Sequence, residues 1–176
     1  MANLTRYSFL AQPRPIFALL GIISLGSLGF AFYLEMFQNL APCVLCRYQR
    51  IPYIMVVIIT IVGFLISTQP RYRDKMSFIA ILCSLIFFIG SLLALFHLGV
   101  ELKWWEGTNS CCVTGIEAKS TEMLKEAILN APTANCSEVL WQFFGVSLAG
   151  WNFIWSSFLT VILGWIATVW IKGQSA

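Results

Sequence analysis

The sequence predicts an all-α membrane protein: a four-transmembrane-helix bundle with two loops on its non-cytoplasmic side. Three observations carry that expectation. The chain is 59% hydrophobic and only 11% charged; it contains four apolar runs of bilayer-spanning length; and its densest basic segments alternate with segments that bear cysteines. Soluble domains run near 45–50% apolar and about 25% charged. A chain of 176 residues is too short to hide the excess from water, whereas lipid removes the difficulty. The length fits a single integral membrane domain over residues 1–176. A net charge of +3, spread along the chain, gives no ground for nucleic-acid binding.

A helix needs about 20 apolar residues to cross a ~30 Å hydrocarbon core. Runs near 16–37, 51–67, 76–98 and 148–171 qualify. The second is the shortest, and residues from Cys43 onward extend it if they are helical. Backbone polar groups in lipid must be satisfied within the segment, so each run is expected to be a helix. The first run is long for the apolar part of a signal peptide and is followed by no small-residue cleavage site, so it reads as a retained helix. Gly21, Gly26 and Gly29 in the first run, and Gly90 with Ala94 in the third, are positions where helices can approach closely.

Sidedness follows from Lys and Arg in short connections. Arg6 and Arg14 precede the first run, Arg71, Arg73 and Lys75 join the second to the third, and Lys172 follows the fourth. These segments are expected in the cytoplasm, with both termini. Parity then places the loops at about 38–50 and 99–147 together on the opposite face. They hold Cys43, Cys46, Cys111, Cys112 and Cys136, while Cys83 falls in mid-helix as a small core residue. Residues 116–129 in the longer loop have the spacing of a short amphipathic helix. It would lie on the membrane surface or pack within the loop, and the pattern fits both. Trp104, Trp105, Trp141 and Trp151 fit an interfacial aromatic belt.

The strongest local signal is Pro42-Cys43-Val44-Leu45-Cys46. Two intervening residues let the cysteines bridge and separate with little backbone movement. A helix N-terminus and cationic neighbours, here Arg47 and Arg50, favour thiolates. Arg50 lies one turn beyond Cys46, so the two share a helix face. There it either anchors the helix at the interface or donates to a carbonyl group beside the Cys46 sulfur. Cys111, Cys112 and Cys136 allow one bridge and leave one sulfur over, as a structural staple or as a second redox pair. A zinc site built from Cys43, Cys46 and two cysteines of the longer loop is a further alternative, disfavoured by the compartment. The c-type haem pattern fails because Arg47 follows Cys46. His97, the single histidine, reads by itself as a satisfied interface residue. Thiol exchange only moves oxidation around, and the chain carries neither a haem nor a dinucleotide motif. A lipid-soluble electron acceptor is what remains.

These residues resemble the disulfide bond formation protein B (DsbB) family. Tyr33 to Gln38, with Pro42-Cys43-Val44-Leu45-Cys46-Arg47-Tyr48-Gln49-Arg50, is similar to that family's first periplasmic loop. His97 to Glu101 with Trp104 to Gly107, and Cys136-Ser137-Glu138 with Gly145 to Asn152, resemble the beginning and end of its second. The resemblance implies an inner-membrane thiol:quinone oxidoreductase of bacteria that re-oxidises a periplasmic DsbA-like thioredoxin-fold oxidase. The DsbA–DsbB–quinone route is itself the known arrangement that keeps the bacterial periplasm oxidising. The implied acceptor is ubiquinone or menaquinone. Cys43 and Cys46 match the quinone-proximal pair, Arg50 the arginine that assists quinone reduction, and His97 a residue lining the quinone pocket. Cys136 pairs with Cys111, or with Cys112 as the alternative, because the family usually has one cysteine where this chain has two. Two rival readings fit the same residues: a tetraspanin-like, non-enzymatic membrane interaction protein, and a quinol-linked reductase running the same chemistry backward.

Overall fold

The computed structural model describes residues 12–72, 75–107 and 135–174. The proposed surface helix over 116–129, and both Cys111 and Cys112, lie outside them. Four long helices match the four apolar runs: α1 (Pro13–Phe37), α2 (Val44–Ile66), α3 (Lys75–Glu101) and α4 (Leu148–Gln174). Each is long and apolar enough to cross a membrane. A short 3-10 turn at Pro70–Tyr72 leads toward α3. A two-stranded hairpin, β1 (Gln142–Phe143) and β2 (Val146–Ser147), precedes α4, with Gln142 opposite Ser147 and Phe143 opposite Val146.

Local chemistry explains the helix ends. Pro13 and Pro15 stand at the start of α1, where a missing N–H costs nothing. Asn39 adopts φ 52° just beyond α1, and the Gln38 and Leu40 amides both return to the Leu34 carbonyl, at 3.2 and 3.3 Å, which satisfies one of the helix's last open carbonyls. In the hairpin turn both Phe144 (φ 52°) and Gly145 (φ 76°) are left-handed, as the tight two-residue connection requires.

The second helix takes up the extension from Cys43 that the sequence allowed. It begins at Val44, seven residues before the apolar run. The turn bearing Arg47, Gln49 and Arg50 is helical, and the first loop shrinks to residues 38–43. Hydropathy alone does not mark this turn, because Gln49 and Arg50 find their partners on other helices, in His97, Asn152 and Glu35.

The helices pack in the order α1–α2–α3–α4, while α1 and α4 make little direct contact. Three apolar layers stack along the bundle. Ile16, Phe17, Met76 and Trp170 fill one end. Val56, Cys83, Phe87 and Leu163 fill the middle, which places Cys83 in the core as expected. Cys43, Leu45, Val100 and Cys136 fill the other end. Up-and-down connection puts Arg14, Arg71, Lys75 and Lys172 at the end away from these cysteines.

Two of the small residues work as anticipated. A Cβ on Gly21 would lie 3.1 Å from Thr60 Oγ1, and one on Gly90 would lie 3.2 Å from the Pro52 ring. Gly26 and Gly29 face open space instead and contribute no helix contact. Pro52 lies inside α2, where its ring displaces the backbone of the preceding turn, and Gly90 of α3 leaves room for that ring. Gly90→Val should therefore destabilise the bundle by about 1–3 kcal/mol through overpacking. The measurement is the thermal unfolding midpoint in detergent, with Gly26→Val, at an open position, left near wild type.

Candidate functional site

The site forms where α2 begins. Cys43 is the N-cap of α2, with φ −71° and ψ 171°, and its sulfur accepts the Cys46 amide at 3.2 Å. A sulfur thus fills the role that a Ser or Asp oxygen usually plays at an orphan helix N–H. The same turn brings Cys43 Sγ within 3.0 Å of Cys46 Sγ, with the Cys43 thiol as donor. Cys43 is 1% exposed, whereas Cys46 is half-buried.

This arrangement corrects one expectation. The helix tip and its arginines were expected to favour the thiolate at both sulfurs. The Cys43 thiol is instead pushed up to about 12, first because its proton is engaged by Cys46 and second by burial, with His97 opposing. Arg47 is exposed, and Arg50 is engaged elsewhere.

Arg50 follows one turn beyond Cys46. Its Nη1 donates to Glu35 Oε2 of α1 at 2.6 Å, and its guanidinium lies 4.8 Å from the centre of the Phe32 ring. The charge is thus compensated at the membrane edge, and a guanidinium has five N–H donors, so donors remain beyond the one given to Glu35.

His97 sits near the end of α3, 3% exposed, with Nε2 3.6 Å from Cys43 Sγ and 3.8 Å from Glu101 Oε1. Its Nδ1 is 3.0 Å from Gln49 Nε2. Gln49 Oε1 accepts from Asn152 Nδ2 at 2.8 Å, and Asn152 Oδ1 accepts from the Tyr53 hydroxyl at 2.7 Å. Glu101 accepts a hydrogen bond from Ser147, whose oxygen also caps α4 by accepting the Gly150 amide at 3.1 Å.

Cys136 is fully buried and packs in one cluster with Cys43 and Val100. The structure therefore brings together Cys43, Cys46, Cys136, His97 and Arg50 from the residues singled out in the sequence. Glu35, Gln49, Tyr53, Glu101 and Asn152 were not anticipated. Glu35 and Asn152 carried a usable signal, since a charged or amide side chain inside an apolar run marks a functional position. Gln49, Tyr53 and Glu101 acquire their partners only through tertiary packing.

All these groups except Cys136 border a cavity of about 610 Å³, within the range of small-ligand sites. Cys46, Gln49, Arg50 and His97 form its polar wall, and the rest is mostly apolar. Phe30 of α1 and Trp151 and Trp155 of α4 also line it and are exposed on the outside of the bundle. The cavity thus lies at the seam where α1 and α4 part, with a mouth on the lipid-facing surface. The Cys43 and Cys46 sulfurs and His97 Nε2 lie within 4.8 Å of one another, close enough for a thiophilic metal. They are the same atoms that dithiol chemistry would use.

Four spanning helices with a capped dithiol beside a lipid-facing cavity define a membrane-embedded thiol protein. The comparisons make the class specific. The family model described as "Disulfide bond formation protein DsbB" matches residues 13–166. "Disulfide bond formation protein B" of Xylella fastidiosa (strain Temecula1 / ATCC 700964) is 29% identical over 157 residues, covering 87% of this chain and 86% of that protein. The protein of the same name from Hahella chejuensis is 26% identical over 162 residues, covering 90% and 94%. That of Marinobacter nauticus is 29% identical over 156 residues, covering 85% and 88%. The chain belongs to the DsbB family of membrane proteins, with a disulfide oxidoreductase role in disulfide bond formation. The tetraspanin-like reading falls with that membership.

The two sulfurs should differ sharply toward alkylating agents. At pH 8 a thiol with a pKa of about 12 presents roughly a thousandfold less thiolate than an ordinary cysteine. In the reduced protein, iodoacetamide should modify Cys46 well before Cys43, and Cys43 should gain reactivity only as the pH climbs toward 12. Peptide mass spectrometry over a pH series measures both.

Proposed function

We propose that this protein re-oxidises the dithiol of a periplasmic thioredoxin-fold partner resembling DsbA and delivers the two electrons to a membrane quinone, either ubiquinone or menaquinone. One observation carries the reading. Cys46, the sulfur in contact with Cys43, lines an apolar cavity whose mouth faces lipid and whose wall carries Arg50. A dithiol that served only protein substrates would have no need of such a cavity.

The residues present suit a quinone. The apolar aromatic lining suits a flat ring with a greasy tail, and Arg50, Gln49 and His97 supply polar groups on one wall for ring oxygens. A bound quinone supplies an acceptor for two electrons and two protons. Arg50 would hold and orient the ring oxygens, and Glu35 would keep the guanidinium aimed along the wall.

The protein steps are thiol–disulfide exchanges. The partner's thiolate attacks the bridge between Cys136 and Cys111, or Cys112 as the alternative, and a mixed disulfide forms. The partner's second thiolate resolves it, so the partner leaves oxidised and this chain's loop pair is reduced. The Cys136 thiolate then attacks Cys43 in the Cys43–Cys46 bridge. A Cys43–Cys136 bond forms, the Cys43–Cys46 bond breaks, and Cys46 departs as a thiolate at the cavity wall. Burial of Cys43 and Cys136 in one cluster supports the relay, because exchange needs the two sulfurs in contact. The family's role in forming disulfides supports this direction over the reductase reading.

Membership in a bacterial family, together with Arg14, Arg71, Lys75 and Lys172 at the end opposite the cysteines, supports a setting in the bacterial inner membrane. Both termini would then be cytoplasmic and the dithiol periplasmic.

Purified protein given ubiquinone and a reduced thioredoxin-fold partner should consume quinone, and Cys46→Ser should abolish that turnover. A rate that survives Cys46→Ser would refute the assignment. Arg50→Met should raise the apparent quinone KM about tenfold or more, as expected for losing a charged hydrogen bond of roughly 1.5–3 kcal/mol, while exchange with the partner continues.

A further inference from the structure

A chain of polar side chains crosses the interior from α4 to α3 by way of α2, and it ends on the only histidine in the protein. We propose that Gln49, Asn152 and Tyr53 are positioning residues that fix the tautomer of His97, holding its ring proton on Nε2 toward Cys43 and Glu101.

The direction of the chain can be argued from both ends. A neutral imidazole has one N–H and one bare nitrogen, and the partners decide which is which. At the Nε2 end both neighbours are acceptors. Cys43 donates its thiol proton to Cys46, so its sulfur has only lone pairs left for the ring 3.6 Å away. Glu101 presents Oε1 at 3.8 Å. Among the described residues a bare Nε2 would therefore face nothing that donates, whereas Nε2–H meets two acceptors.

Nδ1 must then accept, and among the described residues only the amide end of Gln49 can supply a proton there. With that nitrogen committed, Gln49 Oε1 points at Asn152 and receives Nδ2–H at 2.8 Å. Asn152 in turn exposes Oδ1, which takes the Tyr53 hydroxyl at 2.7 Å and a longer 3.3 Å bond from Ser156. Every link points the same way. No single amide can turn over without setting donor against donor or acceptor against acceptor at both neighbours, so the polarity belongs to the chain as a whole. In a low-dielectric interior a mismatch of that kind is costly.

The consequence falls on Cys43. A ring N–H aimed at its sulfur stabilises negative charge there whenever the Cys43–Cys46 or Cys43–Cys136 bridge opens at that atom. The opposite tautomer would withdraw that donor. For its purpose this inference rests on the redox reading of the site, but the state of the ring can be read without any quinone.

Because His97 is the only histidine, full-length protein labelled with ¹⁵N-histidine in detergent gives one ring to observe. In the reduced wild type, Nε2 should give a protonated, pyrrole-type signal and Nδ1 a bare, pyridine-type signal. Asn152→Leu touches neither His97 nor the sulfurs, yet it should convert this single state to a mixture of both tautomers, since Gln49 is then free to rotate. Gln49→Met should do the same and gives a second route if Asn152→Leu fails to fold. Tyr53→Phe removes only the last donor and should move the ratio less. Partner-driven reduction of the Cys43–Cys46 bridge should slow several-fold in Asn152→Leu. A wild-type ring protonated at Nδ1 would overturn the proposal, as would a tautomer unaltered in both Asn152→Leu and Gln49→Met. Normal ring signals with no quinone turnover would instead refute the redox reading and leave the tautomer assignment standing.

Discussion

The Cys46 amide donates to the sulfur of Cys43, and this N-cap decides where α2 begins. From that start the positions of the other groups follow by helix geometry. Cys46 falls on the first turn beside Cys43, Gln49 reaches inward to His97, and Arg50 faces Glu35 at the edge of the bundle. A start one residue later would rotate all of them by about 100° and dismantle the wall of the cavity. In the proposed relay the cap is also part of the chemistry, since the sulfur that satisfies the helix terminus is the one that would exchange with Cys136. Stability of the first turn and reactivity of the dithiol are thus coupled through a single atom.

The second constraint is the solvent. In hydrocarbon a polar side chain must find its partner within the protein, and this bundle solves the problem in two ways. Arg50 and Glu35 cancel as a pair across α1 and α2. Gln49, Asn152, Tyr53 and Ser156 form a neutral hydrogen-bonded line across α2 and α4. The apolar layers below, around Val56, Phe87 and Leu163, hold the helices together. The polar line fixes the rotation of α2 against α3 and α4, so that His97 and Cys43 meet.

Much of this was legible in the sequence. Apolar runs located four helices because lipid imposes a length on them, and the C-x-x-C with Arg50 one turn later located the dithiol end. The start of α2 was not legible from hydropathy, because Arg47, Gln49 and Arg50 make that turn look like loop until Glu35, His97 and Asn152 are known to satisfy or flank it. Gly26 and Gly29 look like packing glycines in one dimension but face outward in three, since spacing does not reveal which side of α1 meets α2. The raised Cys43 thiol was missed for a similar reason: helix-terminus and arginine arguments ignore the proton that Cys43 shares with Cys46. Cys83 was legible because burial in a core asks only for small size and low polarity.

For the lipid-soluble acceptor proposed above, the seam between α1 and α4 changes how occupancy of the cavity would be counted. A site whose mouth faces the acyl chains samples what is dissolved in the lipid, so the governing quantity is molecules per lipid and not molecules per litre. Adding detergent at constant total ligand dilutes that phase and empties the site, although no contact in the protein has changed. Adding lipid-rich vesicles of the same ligand content per lipid leaves occupancy where it was. For this architecture the composition of the surrounding bilayer is therefore itself a thermodynamic variable of binding.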